Sequence, residues 1–227
     1  MRTWYILSAR SLVFVAAVAL GGTSAFASGA AVSEDQLESF LGLAGGTLLD
    51  VGNGPIGNGS AIQTTFTATA GQVLSFQYRF LTNEDPTDLA NVVNDFAFVT
   101  LNSGEPMSIA DVVSTTLSAA SPPFALGSAL LTFSTTLSTA GVYSLGVGVV
   151  NVTDDTYPSG LLVSNLQLGS TSLPIGGFTA AGNTQAMGTP AILLSASVPE
   201  PMSVISLGVG GLAVLAILSG RGRRNVA

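Results

Sequence analysis

The clearest pattern along the chain is an alternation of apolar and polar residues with a period of two. Between positions 73 and 80, Leu74, Phe76, Tyr78 and Phe80 alternate with polar residues, which predicts a strand with one buried face. Apolar runs separated by turn residues predict further strands at 62–69, 96–101, 130–137, 142–152, 161–168 and 191–197. Short strands with regular turn signals indicate an all-β domain, an antiparallel β-sandwich or jelly-roll-like fold.

A short segment before the first strand has the pattern of a helix. Ser33 followed by Gln36 is a capping-box signature, in which the two side chains satisfy free N–H groups of the first turn. The apolar residues that recur on one helical face are Leu37, Phe40 and Leu41. We therefore predict a short amphipathic N-terminal helix over residues 33–43 that packs against the domain.

Glycine-rich segments predict loops and one unusual strand. Residues 42–59 and 169–188 are rich in Gly with Asn, Thr or Ala, and both are predicted to be loops. Gly146 and Gly148 fall on the same face of the predicted strand 142–152, where glycine normally weakens a strand. They would admit a close neighbour, leave a shallow groove, or mark a bulge or tight packing.

The N-terminal residues have the features of an export signal. Arg2 and Arg10 precede an apolar run at 12–20, and small residues follow up to Ala27. This order predicts a signal peptide, residues 1–27, that is cleaved after Ala27 on the general secretory route. An N-terminal membrane anchor is the alternative, although the apolar run is shorter than the ~20 residues that a membrane span needs.

The C-terminal residues combine an uncharged apolar stretch with a basic tail. Residues 202–219 contain no charged side chain, and Arg221, Arg223 and Arg224 follow. At ~1.5 Å per residue, this stretch would cross most of a ~30 Å hydrocarbon core as a helix. Because basic flanks stay in the cytoplasm, we expect a C-terminal transmembrane helix with the β domain on the opposite side of the membrane.

Directly before the apolar stretch stands the tripeptide Pro199-Glu200-Pro201. The order Pro-Glu-Pro, apolar helix and short Arg-rich tail resembles the PEP-CTERM sorting signal of Gram-negative bacteria that make exopolysaccharide. The resemblance implies that residues 199–227 are a sorting signal whose Pro-Glu-Pro motif is recognised by an exosortase-type membrane protease. It implies export, transient anchoring in the inner membrane, and release to the cell surface or extracellular matrix. A plain anchor behind a Pro-rich hinge is the alternative.

The middle of the chain also resembles the β-rich passenger domain of many PEP-CTERM proteins. There a phrase like Phe-Leu-Thr-x-Glu, here residues 80–84, precedes Asn-Asp-Phe-Ala-Phe, here residues 94–98. The late strand of such domains often reads Leu-Val-Asp-Asn, and this chain departs from it with Ser164 before Asn165. The resemblance implies a passenger domain over residues 28–198.

Composition excludes several kinds of chemistry. The chain has no Cys, His or Lys, which rules out Ser-His-Asp and Cys-His catalysis, Schiff bases and Cys/His zinc sites. Residues 28–198 carry twelve Asp or Glu against Arg79, a formal charge of −11, which would repel nucleic acid. Glycoside hydrolysis needs only two carboxylates, but Trp4 is the only Trp and lies in the predicted signal peptide. No enzyme is expected.

Two classes of function remain for the β domain. The first is a structural or matrix protein in which the domain is a spacer or a self-association module. The second is a binding module for extracellular polysaccharide, which an exposed row of aromatic side chains would favour. Most Phe residues occupy strand positions predicted to face inward or lie in the signal peptide, so the first class is preferred.

The loop at 82–95 is the candidate for a calcium site, and no other cofactor is expected. Its oxygen-bearing residues are Asn83, Glu84, Asp85, Asp88, Asn94 and Asp95, a mixture of carboxylates and amides of the kind that Ca²⁺ prefers. Glu84 and Asp95 are the predicted ligands, because the family-like phrases place them at strand ends. Asp154 and Asp155 would approach if their loop lies at the same end of the domain. A solvated acidic loop is the alternative.

Overall fold

The computed structural model describes residues 30–51, 54–87, 93–153, 156–174, 177–186 and 191–196. Within these ranges a helix, α1 (Glu34–Leu41), and a 3₁₀ turn (Leu49–Val51) precede the first strand. The strands are β1 (Ile56–Ala68), β2 (Val73–Thr82), β3 (Phe96–Leu101), β4 (Met107–Asp111), β5 (Leu117–Ala119), β6 (Leu126–Ser128), β7 (Leu131–Thr136), β8 (Gly141–Val152), β9 (Ser159–Leu168), β10 (Thr171–Ser172), β11 (Thr179–Ala181), β12 (Asn183–Ala186) and β13 (Ala191–Ser195).

These strands form two antiparallel sheets. The first sheet has the order β11-β1-β8-β3-β4. The second has the order β12-β13-β9-β2-β6-β5, with β10 added to β9 and β7 added to β2. The predicted all-β class is therefore confirmed, and the arrangement is sandwich-like because the two sheets share one core.

The main core lies between the sheets and follows from the period-two pattern. The apolar residues of β2 that alternate with polar ones, among them Phe76 and Phe80, are buried against Val147 of β8 and Leu161 of β9. Phe133 of β7 stacks on Phe76 with ring centroids 5.0 Å apart. Burial of each such side chain contributes ~2–3 kcal/mol of hydrophobic free energy. The alternating pattern therefore favours packing of the two sheets against each other.

A second apolar cluster covers the outer face of the first sheet. Leu37 and Leu41 of α1 pack on Phe96 and Phe98 of β3, as the helical pattern predicts. The Gln36 side chain accepts the Ser33 backbone N–H at 3.1 Å, and Gly42 ends the helix in the left-handed conformation. The central part of the first sheet, formed by β3 and most of β8, is thus buried on both faces.

Gly146 and Gly148 allow this close approach. A Cβ at Gly146 would lie 2.6 Å from Leu41 Cδ2, and one at Gly148 would lie 2.6 Å from a ring carbon of Phe98. Of the readings that the sequence left open, close neighbours and tight packing are therefore the ones observed.

Two of the loop predictions were partly wrong. β1 begins at Ile56, within the predicted loop 42–59, and the predicted loop 169–188 contains β10, β11 and β12. These segments have few apolar residues, so they lack the alternation by which strands are recognised, and partner strands supply the pairing instead. No helix among the described residues has the length and apolarity needed to cross a membrane. The predicted signal peptide, sorting motif and basic tail lie outside the described residues.

Candidate functional site

The loop predicted to bind calcium and the loop that follows β8 lie at the same end of the domain. Thr82, the last residue of β2, pairs with Ser159, the first residue of β9. Phe96, at the start of β3, pairs with Val150 near the end of β8. This end is called the Asp95 end below. The sequence analysis required this shared end for Asp154 and Asp155 to approach the predicted calcium loop. Asp154 and Asp155 themselves lie outside the described residues.

Asp95 is the centre of a buried polar cluster that links the two sheets. One carboxylate oxygen, Oδ1, accepts the Val152 N–H at 2.8 Å, and Oδ2 accepts the Ser159 hydroxyl at 2.6 Å. Ser159 Oγ also lies 2.8 Å from Thr82 Oγ1, and the Glu84 N–H donates to Thr82 Oγ1 at 2.9 Å. Because a buried carboxylate is costly without such donors, Asp95 has a structural role in this end.

The two family-like phrases therefore meet in space. Thr82 and Glu84 belong to the first phrase and Asp95 to the second, and Ser159 connects them. Ser159 was missed by the sequence analysis, where it stands in a Pro-Ser-Gly turn. The only sequence feature that could have identified Ser159 is its position next to the start of a predicted strand. Ser164, which departs from the Leu-Val-Asp-Asn phrase, lies at a bulge of β9, beside Asn165 in the left-handed conformation and away from this cluster.

The calcium site remains a prediction. Glu84 is 6% exposed and lies beside the cluster, Asp88 lies outside the described residues, and the described residues contain no group of three or more carboxylates placed to hold a metal. Since both oxygens of Asp95 accept structural hydrogen bonds, Asp95→Ala would destabilise the fold with or without the ion. Glu84→Gln is the cleaner variant, and it should abolish any rise in melting temperature produced by Ca²⁺ over EDTA.

Two other polar residues of the loop accept main-chain N–H groups from neighbouring segments. Asn83 Oδ1 accepts the Ala125 N–H at 2.6 Å, and Asn94 Oδ1 accepts the Val113 N–H at 3.1 Å. Asp85 is exposed, and hydrogen bonds from the Thr87 hydroxyl and N–H lower its pKa. Asp85 is thus charged at neutral pH and free to face solvent.

The last strand ends at this same end. Ala196 donates its N–H to the Ser159 carbonyl at 2.9 Å, and its own carbonyl accepts from Asn151 Nδ2 at 3.4 Å. Ala196 is the last described residue. The last described residue therefore lies beside the Asp95 cluster, and Pro199 follows three residues later in the sequence.

One long side of the domain, between the edge strands β4 and β5–β7, contains two clefts and is called the β4–β7 side. The larger has a volume of about 620 Å³. Its hydroxyl-bearing residues are Ser108, Ser114, Thr115, Thr116, Ser118 and Ser128. The smaller, of about 140 Å³, is bordered by Met107 of β4 and Phe133 of β7. The Tyr78 hydroxyl bridges the sheets here by donating to the Ile109 carbonyl at 2.8 Å.

The opposite side, called the β11–β12 side, is closed by the chain itself. β11 belongs to the first sheet and β12 to the second, and Gly182 alone connects them. Ser60 Oγ donates to the Ser195 carbonyl at 2.6 Å and accepts the Asn183 N–H at 2.7 Å. This buried hydroxyl ties β1 to the second sheet.

Comparison with protein-family models, with curated proteins and with solved structures finds no match to this chain.

Proposed function

We propose that this chain is an exported, non-enzymatic surface or extracellular-matrix protein that an exosortase-type membrane protease sorts through its C-terminal signal. Its parts would be a signal peptide (1–27), a β-sandwich passenger domain (28–198) and a sorting signal with a transmembrane helix (199–227). All described elements, from α1 to β13, fall within the second range. Its destination would be the cell surface or a matrix that contains exopolysaccharide.

The observation that carries this proposal is the position of Pro199-Glu200-Pro201 behind the last strand. Ala196 is hydrogen-bonded to Ser159 and Asn151, and Glu200 follows four residues later. Four extended residues span at most about 14 Å. The motif would thus stand between the folded domain and the apolar stretch, where a membrane protease could cut it without unfolding the domain.

The position of the aromatic side chains supports a structural over a saccharide-binding domain. Among the described residues, Tyr157 is the one aromatic side chain that is exposed, at 53%. Rings such as Phe76, Phe80 and Phe98 are buried in the two clusters. A row of exposed rings for stacking on sugars is therefore not formed by these residues.

The sorting proposal is tested by fractionating cells that express the full chain. Deleting residues 198–227 should release the domain in soluble form, whereas Glu200→Ala should leave the protein in the membrane fraction. Ser203→Ala, a change just beyond the motif, is the matched control and should be processed normally. Release of the Glu200→Ala protein at the normal rate would mean that the Pro-Glu-Pro motif is only a hinge and is not recognised by a protease.

A second function, binding of extracellular polysaccharide, is favoured by the larger cleft of the β4–β7 side. Its volume of about 620 Å³ falls in the range of ligand sites. Ser128 is buried and bonded within the protein, but the hydroxyls nearer the opening, such as those of Ser108 and Thr116, could exchange hydrogen bonds with sugars. Pull-down on the organism's own exopolysaccharide would test it. Thr116→Ala combined with Ser118→Ala should weaken retention, while Ser172→Ala on β10 should not. Equal retention of all three proteins would contradict this function.

A further inference from the structure

β7 is the longest edge strand without a charged residue in the part of the chain that the structure describes. It spans six residues and pairs with β2 on one side only. Its side chains alternate between half-buried Leu131, Phe133 and Thr135 and exposed Thr132, Ser134 and Thr136. A strand with one unpaired side presents main-chain donors and acceptors that can pair with another strand.

The direction of these groups follows from the neighbouring strand β2. Phe80 donates its N–H to Ser128 Oγ at 3.0 Å, on the side of β6 and β7. The Val73 carbonyl accepts the Gly169 N–H at 2.7 Å, on the side of β9. The main-chain groups of successive strand residues point to opposite sides. The N–H and C=O groups of the even-numbered residues of β2 therefore point towards β7.

The register then shows which groups of β7 are open. Leu74, Phe76 and Tyr78 of β2 lie opposite Thr135, Phe133 and Leu131 of β7. These odd-numbered residues of β7 therefore form the hydrogen-bonded pairs with β2. The N–H and C=O groups of Thr132, Ser134 and Thr136 point away from β2, towards the open edge.

β7 itself is uncharged, which permits two copies of this edge to meet. No charged residue occurs between Asp111 and Asp154 in the sequence. In space, Glu105 and Asp111 border the clefts beside Phe133 and Leu131, on the side of the half-buried residues of β7 and not among its exposed side chains. Edge strands commonly carry Lys, Pro or inward-pointing charges that prevent pairing, and β7 has none. The adjacent Leu130 is 57% exposed. The edge strand β4 differs, because Asp111 is part of it.

We propose that two copies of this chain associate through β7, with the two strands antiparallel across a two-fold axis. In the register that places Ser134 opposite Ser134 of the second copy, Thr132 faces Thr136 of that copy. All three open residues on each strand are then paired, with about six hydrogen bonds. The second sheet continues from one copy into the other, and Thr135 of the second copy covers Phe133 beside the smaller cleft.

This association does not depend on the sorting proposal, and it identifies the self-association surface that a matrix protein needs. Its interface is isologous, since the same strand serves both copies. A six-residue strand pair is small compared with stable interfaces. The dimer is accordingly reversible and forms at high local concentration, as on a membrane or in a matrix.

Cysteine cross-linking tests both the association and its register, because the natural chain contains no Cys. In a hydrogen-bonded antiparallel pair the Cα atoms are about 5.5 Å apart, within the 4.4–6.8 Å range of disulfides. Full-length Ser134→Cys, oxidised in mild detergent, should therefore give a covalent dimer. Thr132→Cys alone should not, because its two copies would be about 14 Å apart. Mixed Thr132→Cys and Thr136→Cys chains should cross-link.

The matched control for chance collision is Thr171→Cys, an exposed residue on the two-residue strand β10. Ser134→Pro then tests the hydrogen bonds. It removes an N–H that points to the open edge, a position at which proline is tolerated, so it should abolish the mixed Thr132/Thr136 cross-link without lowering the melting temperature by more than a few degrees. Ser134→Ala keeps the N–H and should retain the cross-link.

Cross-linking of Ser134→Cys no stronger than that of Thr171→Cys would overturn the proposal. Strong cross-linking of Thr132→Cys alone would overturn the register. Neither readout requires the proline variant to fold, and neither changes if the C-terminal motif proves to be a plain anchor.

Discussion

The β11–β12 side and the β4–β7 side of the domain connect the same two sheets in different ways. On the β11–β12 side the chain crosses between the sheets at Gly182, and Ser60 forms buried hydrogen bonds with residues of the second sheet. On the β4–β7 side the crossing takes residues 112–116, and clefts of about 620 and 140 Å³ remain beside it. The Tyr78 hydroxyl bridges the two sheets on this side.

This difference indicates that the two sides have different roles, one in the stability of the domain and the other in its interactions. A crossing of one residue leaves little room between the sheets, so polar groups beside it are buried and need partners inside the protein, as Ser60 finds in Ser195 and Asn183. A longer crossing leaves space between the sheet edges, and the main-chain groups of β7 stay open to solvent or to another chain. Substitutions on the β11–β12 side should therefore affect stability, and those on the β4–β7 side should mainly affect association.

The largest effect is expected for Gly182→Ala. Gly182 has a φ of +83°, and an added Cβ would lie 2.7 Å from the Gly59 carbonyl oxygen and close to Ser60. The strained conformation and the displaced backbone together should lower the free energy of unfolding by about 3–4 kcal/mol. Chemical denaturation measures this loss.

The matched control is Gly169→Ala. Gly169 also has a positive φ, +61°, but no atom lies within 4 Å of the added Cβ. Only the backbone strain of about 1–2 kcal/mol should remain. Equal losses in the two variants would mean that the crossing tolerates a side chain, and the contrast between the two sides would fail.

The second prediction compares one hydroxyl on each side. Ser60→Ala removes two buried hydrogen bonds, to Ser195 and from Asn183, and should cost about 2–3 kcal/mol of unfolding free energy. Tyr78→Phe removes the single bond to Ile109 and should cost about 1 kcal/mol. Denaturation of both variants at pH 7 decides the order, and a larger loss for Tyr78→Phe would reverse it.

Sequence analysis predicted the long strands because their residues alternate. β2, β3 and β8 begin within one residue of the predicted positions, and α1 follows its capping residues. These elements bury large apolar side chains at regular intervals, so local sequence and final burial agree. The all-β class follows from them.

The β11–β12 side could not be predicted in the same way. Asn183 and Thr184 of β12 are polar and buried, and the backbone of Asn183 is bonded to Ser60, a residue far away in sequence. The candidate site was found only in part for a similar reason. Glu84 and Asp95 were singled out by their carboxylates, but the role of Asp95 depends on Val152 and Ser159, 57 and 64 residues later.

The smallest effect concerns pH on the β4–β7 side. Burial raises the pKa of the Tyr78 hydroxyl above its ordinary value of 10.0, because the ionised form would lose its hydration. Below pH 10 the hydroxyl is neutral in both folded and unfolded chains, so its contribution to stability is fully present. As pH rises from 10 towards the higher folded pKa, the unfolded chain ionises first, and stability is lost.

Denaturation at pH 8 and pH 11 should therefore show a larger loss for the natural protein than for Tyr78→Phe. The chain has no Lys or Cys, so tyrosines are the side chains that titrate in this window. Tyr157→Phe, which alters the exposed ring beyond β8, is the control and should keep the full alkaline loss. If Tyr78→Phe also kept the full alkaline loss of stability, the Tyr78 hydroxyl would be in contact with water through the neighbouring clefts. Its hydrogen bond to Ile109 would then contribute less to joining the sheets than the 2.8 Å distance suggests. The sheets would then be joined on the β4–β7 side by the chain crossing at residues 112–116 and by apolar contacts, including those of Val112 and Ile109.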